Sequence, residues 1–226
     1  MNNTYFITGT DTGIGKTFIT CGLLSFFQSK NLKVAGIKPI SAGVQILNNQ
    51  KINEDVFLLK KYSNIEIDYK DINYYSFDKP VSPHIVASLE NHPIDFDLIK
   101  DNIKRIHSKA DVVLIEGAGG YEVPIDVERR MSDLITYIDV PVILVVGVRL
   151  GCLNHTLLTY EAIKAKHNKI LGWIANIIEE DMLCVDENIN YLRENISEPC
   201  LGVIPKILSK MEPINFADYF DWPETE

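Results

Sequence analysis

The stretch that decides the fold is Tyr5-Phe-Ile-Thr-Gly-Thr-Asp-Thr-Gly-Ile-Gly-Lys-Thr-Phe18. An apolar run typical of a strand leads into a glycine-rich turn, then Lys16 and Thr17, then a helix-like run. This order predicts a nucleotide phosphate loop, because Gly13 and Gly15 let the backbone turn with its N–H groups inward. The following helix presents its positive end to the same point. Lys16 is expected at the β- and γ-phosphates, and the Thr17 hydroxyl can bind Mg²⁺.

The loop departs from the strict phosphate-loop pattern at its first glycine. That pattern has a glycine at position 10, where this chain has Thr10, and Gly9 stands one residue too early. The alternative interpretation is a strand, a turn and an ordinary helix start. Because Gly-Lys-Thr closes the loop directly after a strand-like run, the sequence favours the phosphate loop.

Length and composition indicate an ordinary globular protein. The 226 residues suffice for one sizeable α/β domain over 1–226, and two small domains are less favoured. A net charge of −9 without a basic run argues against a nucleic-acid or anionic-membrane surface. No apolar run is long enough to span a bilayer, the first strand leaves no room for a signal peptide, and the four cysteines form no Cys-x-x-Cys pair. A cytoplasmic protein with reduced cysteines is predicted.

Strand-like and helix-like runs alternate along the chain. Strands are predicted at 5–8, 33–37, 111–115, 141–147, 170–176 and 201–204, and helices at 17–30, 53–62 and 153–167. The segment 73–83, rich in aromatic residues and proline, is predicted to be a structured loop. Near-continuous apolar strands in a βαβα order predict a single-domain α/β fold like that of P-loop NTPases, with a mostly parallel central sheet and helices on both faces.

Ligands of such sheets bind at the carboxyl ends of strands, and polar residues stand there in this sequence. Lys38 would lie beside the phosphate loop if the first two strands were neighbours, although a lysine at a strand end can simply be solvated. Glu116 ends a Val-Val-Leu-Ile run and, with Asp55, is a candidate ligand of Mg²⁺. Asp55 can also favour a helix N-terminus. Asn176 suits a purine edge or a turn.

Several stretches combine into a more specific pattern. They are Gly9-Thr-Asp-Thr-Gly-Ile-Gly-Lys-Thr17, Gly36-Ile-Lys-Pro39, Ser82-Pro-His84, Val113-Leu-Ile-Glu-Gly-Ala-Gly-Gly120, Val142-Ile-Leu-Val-Val-Gly-Val-Arg-Leu-Gly-Cys-Leu-Asn-His155 and Gly172-Trp-Ile-Ala-Asn176. Together they resemble the ATP-dependent dethiobiotin synthetase family, and the resemblance covers nearly the whole chain to Ile207. The phosphate loop alone would fit many ATPases.

The resemblance implies an ATP-dependent cyclo-ligase of biotin biosynthesis. CO₂ would form a carbamate on one amine of 7,8-diaminononanoate, and the carbamate oxygen would attack the γ-phosphate of ATP. The second amine would then attack the carbamic-phosphate, close a five-membered ureido ring and expel phosphate, leaving dethiobiotin and ADP. Each species to be stabilised is anionic, which suits a site with two lysines, Mg²⁺ and backbone N–H groups.

The same resemblance implies roles for individual residues. Lys38 and Lys16 would be catalytic, and Thr17, Asp55 and Glu116 would surround Mg²⁺. The family is homodimeric with substrate bound across the interface, so the turn 150–154 would meet the substrate carboxylate from the second subunit. The implied nucleotide-binding residues are Gly13, Ile14, Gly15, Lys16, Thr17, Phe18, Asp55, Glu116, Gly117, Ala118, Gly119, Asn176, Ile177, Pro205, Lys206, Ile207 and Glu212. The implied substrate-binding residues are Thr12, Lys38, Ser41, Ala42, Gly151, Cys152, Leu153 and Asn154.

Two departures and two alternatives accompany the resemblance. Many relatives have a serine directly before Gly43, where this chain has Ala42, so that hydroxyl is either lost or supplied by Ser41; some relatives have an acidic residue at Gly13. A cobyrinic-acid-type amide ligase would usually need a further glutaminase domain, for which 226 residues leave no room. A nucleotide-switched ATPase of the partition or septum-positioning type would carry an early lysine within 9–11, where none stands.

Overall fold

The computed structural model describes residues 3–47, 50–90, 93–206 and 216–223. The strands are β1 Thr4–Gly9, β2 Val34–Ile37, β3 Ile40–Ala42, β4 Gln45–Leu47, β5 Gln50–Ile52, β6 Tyr75–Phe77, β7 Val112–Glu116, β8 Val142–Val148, β9 Ile170–Ile177 and β10 Cys200–Ile204. The helices are α1 Lys16–Ser29, α2 Glu54–Tyr62, α3 Tyr69–Ile72, α4 Pro83–Leu89, α5 Phe96–His107, α6 Met131–Ile138, α7 Cys152–Ala165 and α8 Val185–Asn195, with a 3₁₀ turn at Phe216–Tyr219.

The core is a six-stranded parallel sheet in the order β10-β9-β8-β1-β7-β2. Strands β1, β2, β7 and β8 are buried throughout, which explains their continuous apolar sequences. The prediction of an α/β fold with a parallel central sheet is confirmed. Because β1 lies between β7 and β8, the loop that follows it emerges in the middle of the carboxyl edge, where such sheets bind ligands.

The strand order corrects one premise about the site. The first two strands of the chain, β1 and β2, are not neighbours, because β7 lies between them. Lys38 nevertheless comes directly after β2, and Glu116 ends β7; Ile37 pairs with Ile115. The lysine therefore stands one strand further from the phosphate loop than expected and next to the glutamate.

The region 40–94 is more ordered than its sequence suggested. The prediction that 73–83 is a loop was wrong, because β6 lies within it and pairs in parallel with β3. This strand is short but has the alternation expected of a strand, since Tyr75 and Phe77 are buried while Ser76 between them is exposed. An antiparallel hairpin of β4 and β5 follows β3.

Helices α5, α6 and α8 were also missed by the sequence analysis. In α5, Asp95 caps the first turn by accepting hydrogen bonds from Asp97 N and Leu98 N. Ile99, Ile103 and Ile106 of the same helix are buried at helical spacing. Among the described residues, no helix is both long and apolar enough to cross a membrane.

The last described segment packs back onto the first helix. Phe220 forms an antiparallel bridge to Gly202 on β10, which is an edge strand of the sheet. The Trp222 ring meets Phe27 at 4.8 Å and Tyr5 at 5.3 Å between ring centroids. This segment therefore covers the edge of β10 and adds aromatic packing to α1.

Candidate active site

The phosphate loop joins β1 to α1 and needs glycine at two positions. Gly13 and Gly15 have φ of +74° and +86°, a left-handed backbone that other residues adopt only with strain. A Cβ added at Gly15 would lie 2.3 Å from Asn176 Nδ2. That amide donates a 2.7 Å hydrogen bond to Ile14 O, so the end of β9 supports the loop from below.

The unusual position of Gly9 has a packing explanation. A Cβ added there would lie 2.4 Å from Ile14 Cδ1. Ile14 is buried, so a side chain at position 9 would displace it. Glycine at position 9 therefore makes room for the isoleucine of the loop.

Lys16 is buried at the start of α1, and its ammonium group turns back into the loop. Nζ donates a 2.7 Å hydrogen bond to Asp11 O. The pKa of Lys16 is lowered to about 8, mainly by burial; nearby Lys38 contributes to the decrease, whereas Glu116, Asp55 and Asp11 oppose it. A cation that is poorly solvated in this way is favourably placed to bind an anion such as a phosphate.

Behind the loop, one lysine meets two carboxylates. Lys38 Nζ lies 2.5 Å from Asp55 Oδ2 and 2.6 Å from Glu116 Oε1. The Thr17 hydroxyl donates to Glu116 Oε1 at 2.8 Å. Four residues that the sequence singled out, on α1, β7, α2 and the end of β2, therefore converge; we call them the lysine–carboxylate cluster.

Charge pairing outweighs desolvation in this cluster. Burial alone would lower the pKa of Lys38, but Glu116 and Asp55 together raise it above its ordinary value. Burial would raise the pKa of Asp55, yet Lys38 and the Thr17 hydroxyl hold it below the usual range. The cluster is therefore ionised, with Lys38 as a cation and Asp55 as an anion.

The oxygen atoms of this cluster fit Mg²⁺. Glu116 Oε2 is buried and has no hydrogen-bond partner among the described residues, so it is an acceptor that a cation can satisfy. No group of three or more His, Cys, Asp or Glu side chains suited to a metal occurs in the described part of the chain. A hydroxyl and two carboxylates, completed by phosphate oxygens and water, are a donor set typical of Mg²⁺ and not of Zn²⁺.

Two asparagines that the sequence analysis did not single out hold this cluster in place. Asn73 Nδ2 donates to Lys38 O at 2.7 Å, and its Oδ1 accepts from the Ser41 hydroxyl at 3.0 Å. Asn53 caps α2 by accepting from Asp55 N at 3.0 Å, while its Nδ2 donates to Gly43 O at 2.8 Å and to Ala42 O at 3.2 Å. The cap at Asn53 could have been predicted from the sequence, because an asparagine directly before Glu-Asp is typical of a helix N-terminus.

The glycine turn after β7 lies against the phosphate loop. Gly119 has φ of +69°, and a Cβ added there would lie 3.6 Å from Thr12 Oγ1. Gly117 N donates to Ile7 O at 3.0 Å, which fixes the turn, with Ala118 inside it, to β1. Of the predicted nucleotide-binding residues in this turn, Gly119 therefore lies beside the loop, while Gly117 is bonded to β1.

Several of the predicted nucleotide-binding residues lie at the carboxyl ends of two neighbouring strands. Asn176 pairs with Ile204 across β9 and β10, so Ile177 and Pro205 both follow this pair at the carboxyl edge. The Lys206 ammonium group donates to Ile178 O, one residue beyond Ile177. The remaining predicted residues of this group, Ile207 and Glu212, lie outside the described residues.

The turn predicted to bind the substrate carboxylate lies at the start of α7. Helix α7 begins at Cys152, one residue earlier than predicted, and Gly151 before it has φ of +91°. Gly151 and Asn154 are exposed, Leu153 is half-buried and Cys152 is buried. No hydrogen bond among the described residues joins 151–154 to Lys38 or the two carboxylates.

The chain was compared with known proteins by sequence and by structure. The family model described as an AAA domain matches residues 3–213. The ATP-dependent dethiobiotin synthetase BioD of Wigglesworthia glossinidia brevipalpis is 41% identical over 220 residues, which cover 97% of each chain. That of Tolumonas auensis is 40% identical over 223 residues, which cover 98% of each chain.

Solved structures share the fold at low sequence identity. The septum site-determining protein MinD of Pyrococcus horikoshii, solved with Mg-ADP, is 21% identical and superposes with a TM-score of 0.57 over 91% of this chain and 82% of its own. A ParA family ATPase from Chlorobium tepidum is 13% identical, with a TM-score of 0.57 over 92% of this chain and 86% of its own. At these identities the similarity establishes the architecture alone.

Proposed function

Because the chain belongs to the family of ATP-dependent dethiobiotin synthetases, we propose that it makes dethiobiotin from 7,8-diaminononanoate, CO₂ and ATP. The single observation that best supports this chemistry is the lysine–carboxylate cluster directly behind the phosphate loop. Lys38 Nζ and the Thr17 hydroxyl both donate to Glu116 Oε1, at 2.6 and 2.8 Å. The cluster offers a cation and hard oxygen ligands at the phosphate end of a nucleotide site.

The nucleotide is held mainly by the phosphate loop and the residues around it. The backbone N–H groups of 13–18 and the start of α1 bind the phosphates, with Lys16 at the β/γ end. Held by Thr17, Asp55 and Glu116, Mg²⁺ would neutralise charge on the β- and γ-phosphate oxygens. The end of β9 at Asn176 and Ile177, with Pro205 and Lys206, borders the adenine.

Lys38 acts on the reacting groups. The carbamate is an anion that attacks another anion, the γ-phosphate, so the approach is repulsive without a cation between them. Lys38 supplies that charge from a buried position, where electrostatic stabilisation is stronger than in water. ADP leaves as the carbamate oxygen bonds to phosphorus; the second amine then attacks the carbamic carbon and phosphate leaves.

The substrate carboxylate needs a partner of its own. It stands at the far end of an apolar chain from the two amines, well away from the phosphates. The N-terminus of α7 offers unpaired N–H groups at Leu153 and Asn154, since the hydrogen bonds described there begin with Cys152 N to Arg149 O and His155 N to Gly151 O. We infer that a second copy of the chain supplies this turn and that the active enzyme is a homodimer.

Turnover with each component omitted tests the reaction. Purified protein with ATP, Mg²⁺, bicarbonate and the diamine should release phosphate and form a cyclic urea, detected by mass spectrometry. Omission of any one component should abolish the product. Phosphate release that ignores the diamine would contradict the proposal and favour a simple ATPase.

Mixing two inactive variants tests the composite site. Lys38→Met damages the phosphate side, and Leu153→Pro removes one N–H of the α7 turn at a position where the first helical turn tolerates proline. Neither homodimer should turn over well, but their heterodimer has one intact site. Random assortment predicts roughly a quarter of wild-type activity after the subunits are exchanged. Absence of recovery in a mixture with verified heterodimers would contradict a shared site.

A further inference from the structure

Asp11 accepts three hydrogen bonds, and the proposed function gives this residue no role. Its Oδ2 accepts a 2.6 Å bond from Arg149 Nη2. Its Oδ1 accepts from Thr12 N at 2.7 Å, and its backbone oxygen accepts from Lys16 Nζ at 2.7 Å. One residue therefore connects an arginine 138 positions away to the lysine of the phosphate loop.

The sheet brings these residues together. Arg149 follows the last residue of β8, which pairs with β1, and Thr10 N donates to Val145 O at 3.2 Å. The carboxyl ends of the two strands are therefore side by side. The guanidinium group crosses from the β8 turn to the first residues of the loop.

The phosphate loop has a first arm at 11–13 and a second arm at 14–15, and the two are supported differently. The second arm is held from below by Asn176, which bonds Ile14 O. The first arm is more open, since Thr12 and Gly13 are exposed and a Cβ at Gly13 would meet nothing within 4 Å. The glycine turn after β7 reaches this arm at Thr12, but Gly13 itself has no packing neighbour, so the conformation of the arm depends strongly on the hydrogen bonds of Asp11.

We propose that Arg149 is a positioning residue of the nucleotide site, which holds Asp11 so that the first arm of the loop keeps Lys16 aimed at the phosphates. A guanidinium group suits this task because its fixed planar donors restrict the orientation of a carboxylate. The inference rests on the nucleotide-binding part of the proposed function. It does not depend on which substrate receives the phosphoryl group.

The same arginine also touches the turn proposed to bind the substrate carboxylate. Arg149 O accepts a 3.0 Å hydrogen bond from Cys152 N, the first residue of α7. Through one residue, the phosphate loop is thus joined to the start of α7. In a dimer with a shared site, this joins the nucleotide site of one subunit to the carboxylate site of the other.

The test compares folding with nucleotide binding in the full-length protein. Both members of the pair are half-exposed, so the pair contributes little to folding stability, and Arg149→Ala should leave the denaturation midpoint unchanged. The affinity for Mg-ADP, measured by calorimetry, should fall about fivefold to tenfold because the loop loses its fixed conformation. Arg149→Lys, which keeps the charge but not the planar fork, should recover part of this loss.

A double-mutant cycle and a matched arginine complete the test. Asp11→Ala should weaken Mg-ADP binding to a similar extent, and the double variant should be no weaker than either single one. Arg105→Ala breaks another 2.6 Å pair of a half-exposed arginine, with Asp71, and should leave Mg-ADP affinity unchanged.

Two results would overturn the positioning role. One is a Mg-ADP affinity of Arg149→Ala within twofold of wild type. The other is additive loss in the double variant, which would mean that Arg149 acts on the nucleotide independently of Asp11. If the wild-type protein binds Mg-ADP with this coupling but forms no cyclic urea from the diamine, the proposed reaction fails and the inference about Arg149 stands.

Discussion

The lysine–carboxylate cluster and the Asp11–Arg149 pair lie at the same edge of the sheet and have similar contact lengths, 2.5 and 2.6 Å against 2.6 Å. Their surroundings differ sharply. Within the cluster, the side chains of Lys38 and Glu116 are 8% and 0% exposed, and only that of Asp55 reaches 36%. Those of Arg149 and Asp11 are 35% and 44% exposed. Removal of one partner leaves a buried charge unpaired in the first case, while water replaces the partner in the second.

This difference separates two uses of an ion pair that distances alone do not reveal. For the buried pair Lys38 and Glu116, we expect the charges to matter for folding as well as for the proposed chemistry, so a variant should lose both. For the half-exposed pair, a variant should leave the stability of the fold unchanged and should alter only the shape of the phosphate loop. Experiments that measure both stability and function therefore test this contrast directly.

The largest effect is expected for Lys38→Met. Met fills the space but leaves Glu116 buried without its cation, so the free energy of unfolding should fall by about 3 kcal/mol. Turnover should fall at least ~10²-fold, because a preorganised charge at the reacting groups is lost. Chemical denaturation without nucleotide and steady-state kinetics measure the two effects.

The matched control for Lys38 is an exposed lysine. Lys51 pairs with Asp78 at 3.0 Å, and their side chains are 68% and 62% exposed. Lys51→Met should cost less than about 1 kcal/mol and leave turnover unchanged. If the Lys38 and Lys51 variants were equally stable, burial would not be what distinguishes the buried cluster from the exposed pairs.

The second prediction applies the same contrast to two glycines of the loop. Both Gly13 and Gly15 have positive φ, so Ala at either position should cost about 1–2 kcal/mol in backbone strain. Only at Gly15 does the new Cβ also collide, at 2.3 Å, with the Asn176 amide that supports Ile14 O. Gly15→Ala should therefore be the less stable variant by at least ~1 kcal/mol and should bind Mg-ADP more weakly. Indistinguishable denaturation curves for the two variants would show that Asn176 yields without cost.

The sequence predicted the parts of this site whose signals are local. A strand followed by glycines and Gly-Lys-Thr has a local physical meaning, and so does an acidic residue at the end of a buried apolar run. Lys38 and Glu116 were therefore singled out from position alone, although β1 and β2, whose adjacency would have placed Lys38 beside the phosphate loop, are separated by β7. Strand order depends on how helices pack across the whole sheet, which no short segment encodes.

The parts that were missed depend on distant partners. Asp11 and Arg149 are 138 residues apart, and either alone looks like an ordinary polar residue beside a loop or a strand end. Asn73, which bonds the Lys38 carbonyl, lies in a segment predicted to be a loop. The prediction missed β6 there because a three-residue strand shows too few alternations of buried and exposed residues to be recognised.

The third prediction concerns the metal side of the buried cluster. Glu116→Gln keeps the shape of the side chain but removes a charge that both Lys38 and Mg²⁺ would use. The Mg²⁺ concentration for half-maximal turnover should rise about tenfold, equivalent to about 1.4 kcal/mol in binding. Glu122→Gln, at a more exposed carboxylate 2.8 Å from Arg130, should leave that concentration unchanged. An unchanged Mg²⁺ requirement in the Glu116 variant would remove Glu116 from the proposed metal ligands.

The smallest effect is expected at a helix cap that holds the cluster from outside. Asn53 caps α2 through Asp55 N, and Asp95 caps α5 through Asp97 N and Leu98 N. Loss of either cap, in Asn53→Ala or Asp95→Ala, should cost about 1 kcal/mol of stability.

Only the Asn53 cap is adjacent to a proposed metal ligand. Asn53→Ala should therefore raise the Mg²⁺ requirement by a few-fold, because Asp55 loses the bond that fixes its backbone and α2 loses its anchor to Gly43 O. Asp95→Ala, with similar loss of stability, should leave that requirement unchanged. The two variants together separate general loosening of the fold from misplacement of one carboxylate. If both raised the Mg²⁺ requirement equally, the effect would come from stability, and the influence of the buried cluster would not extend to the cap that orients Asp55.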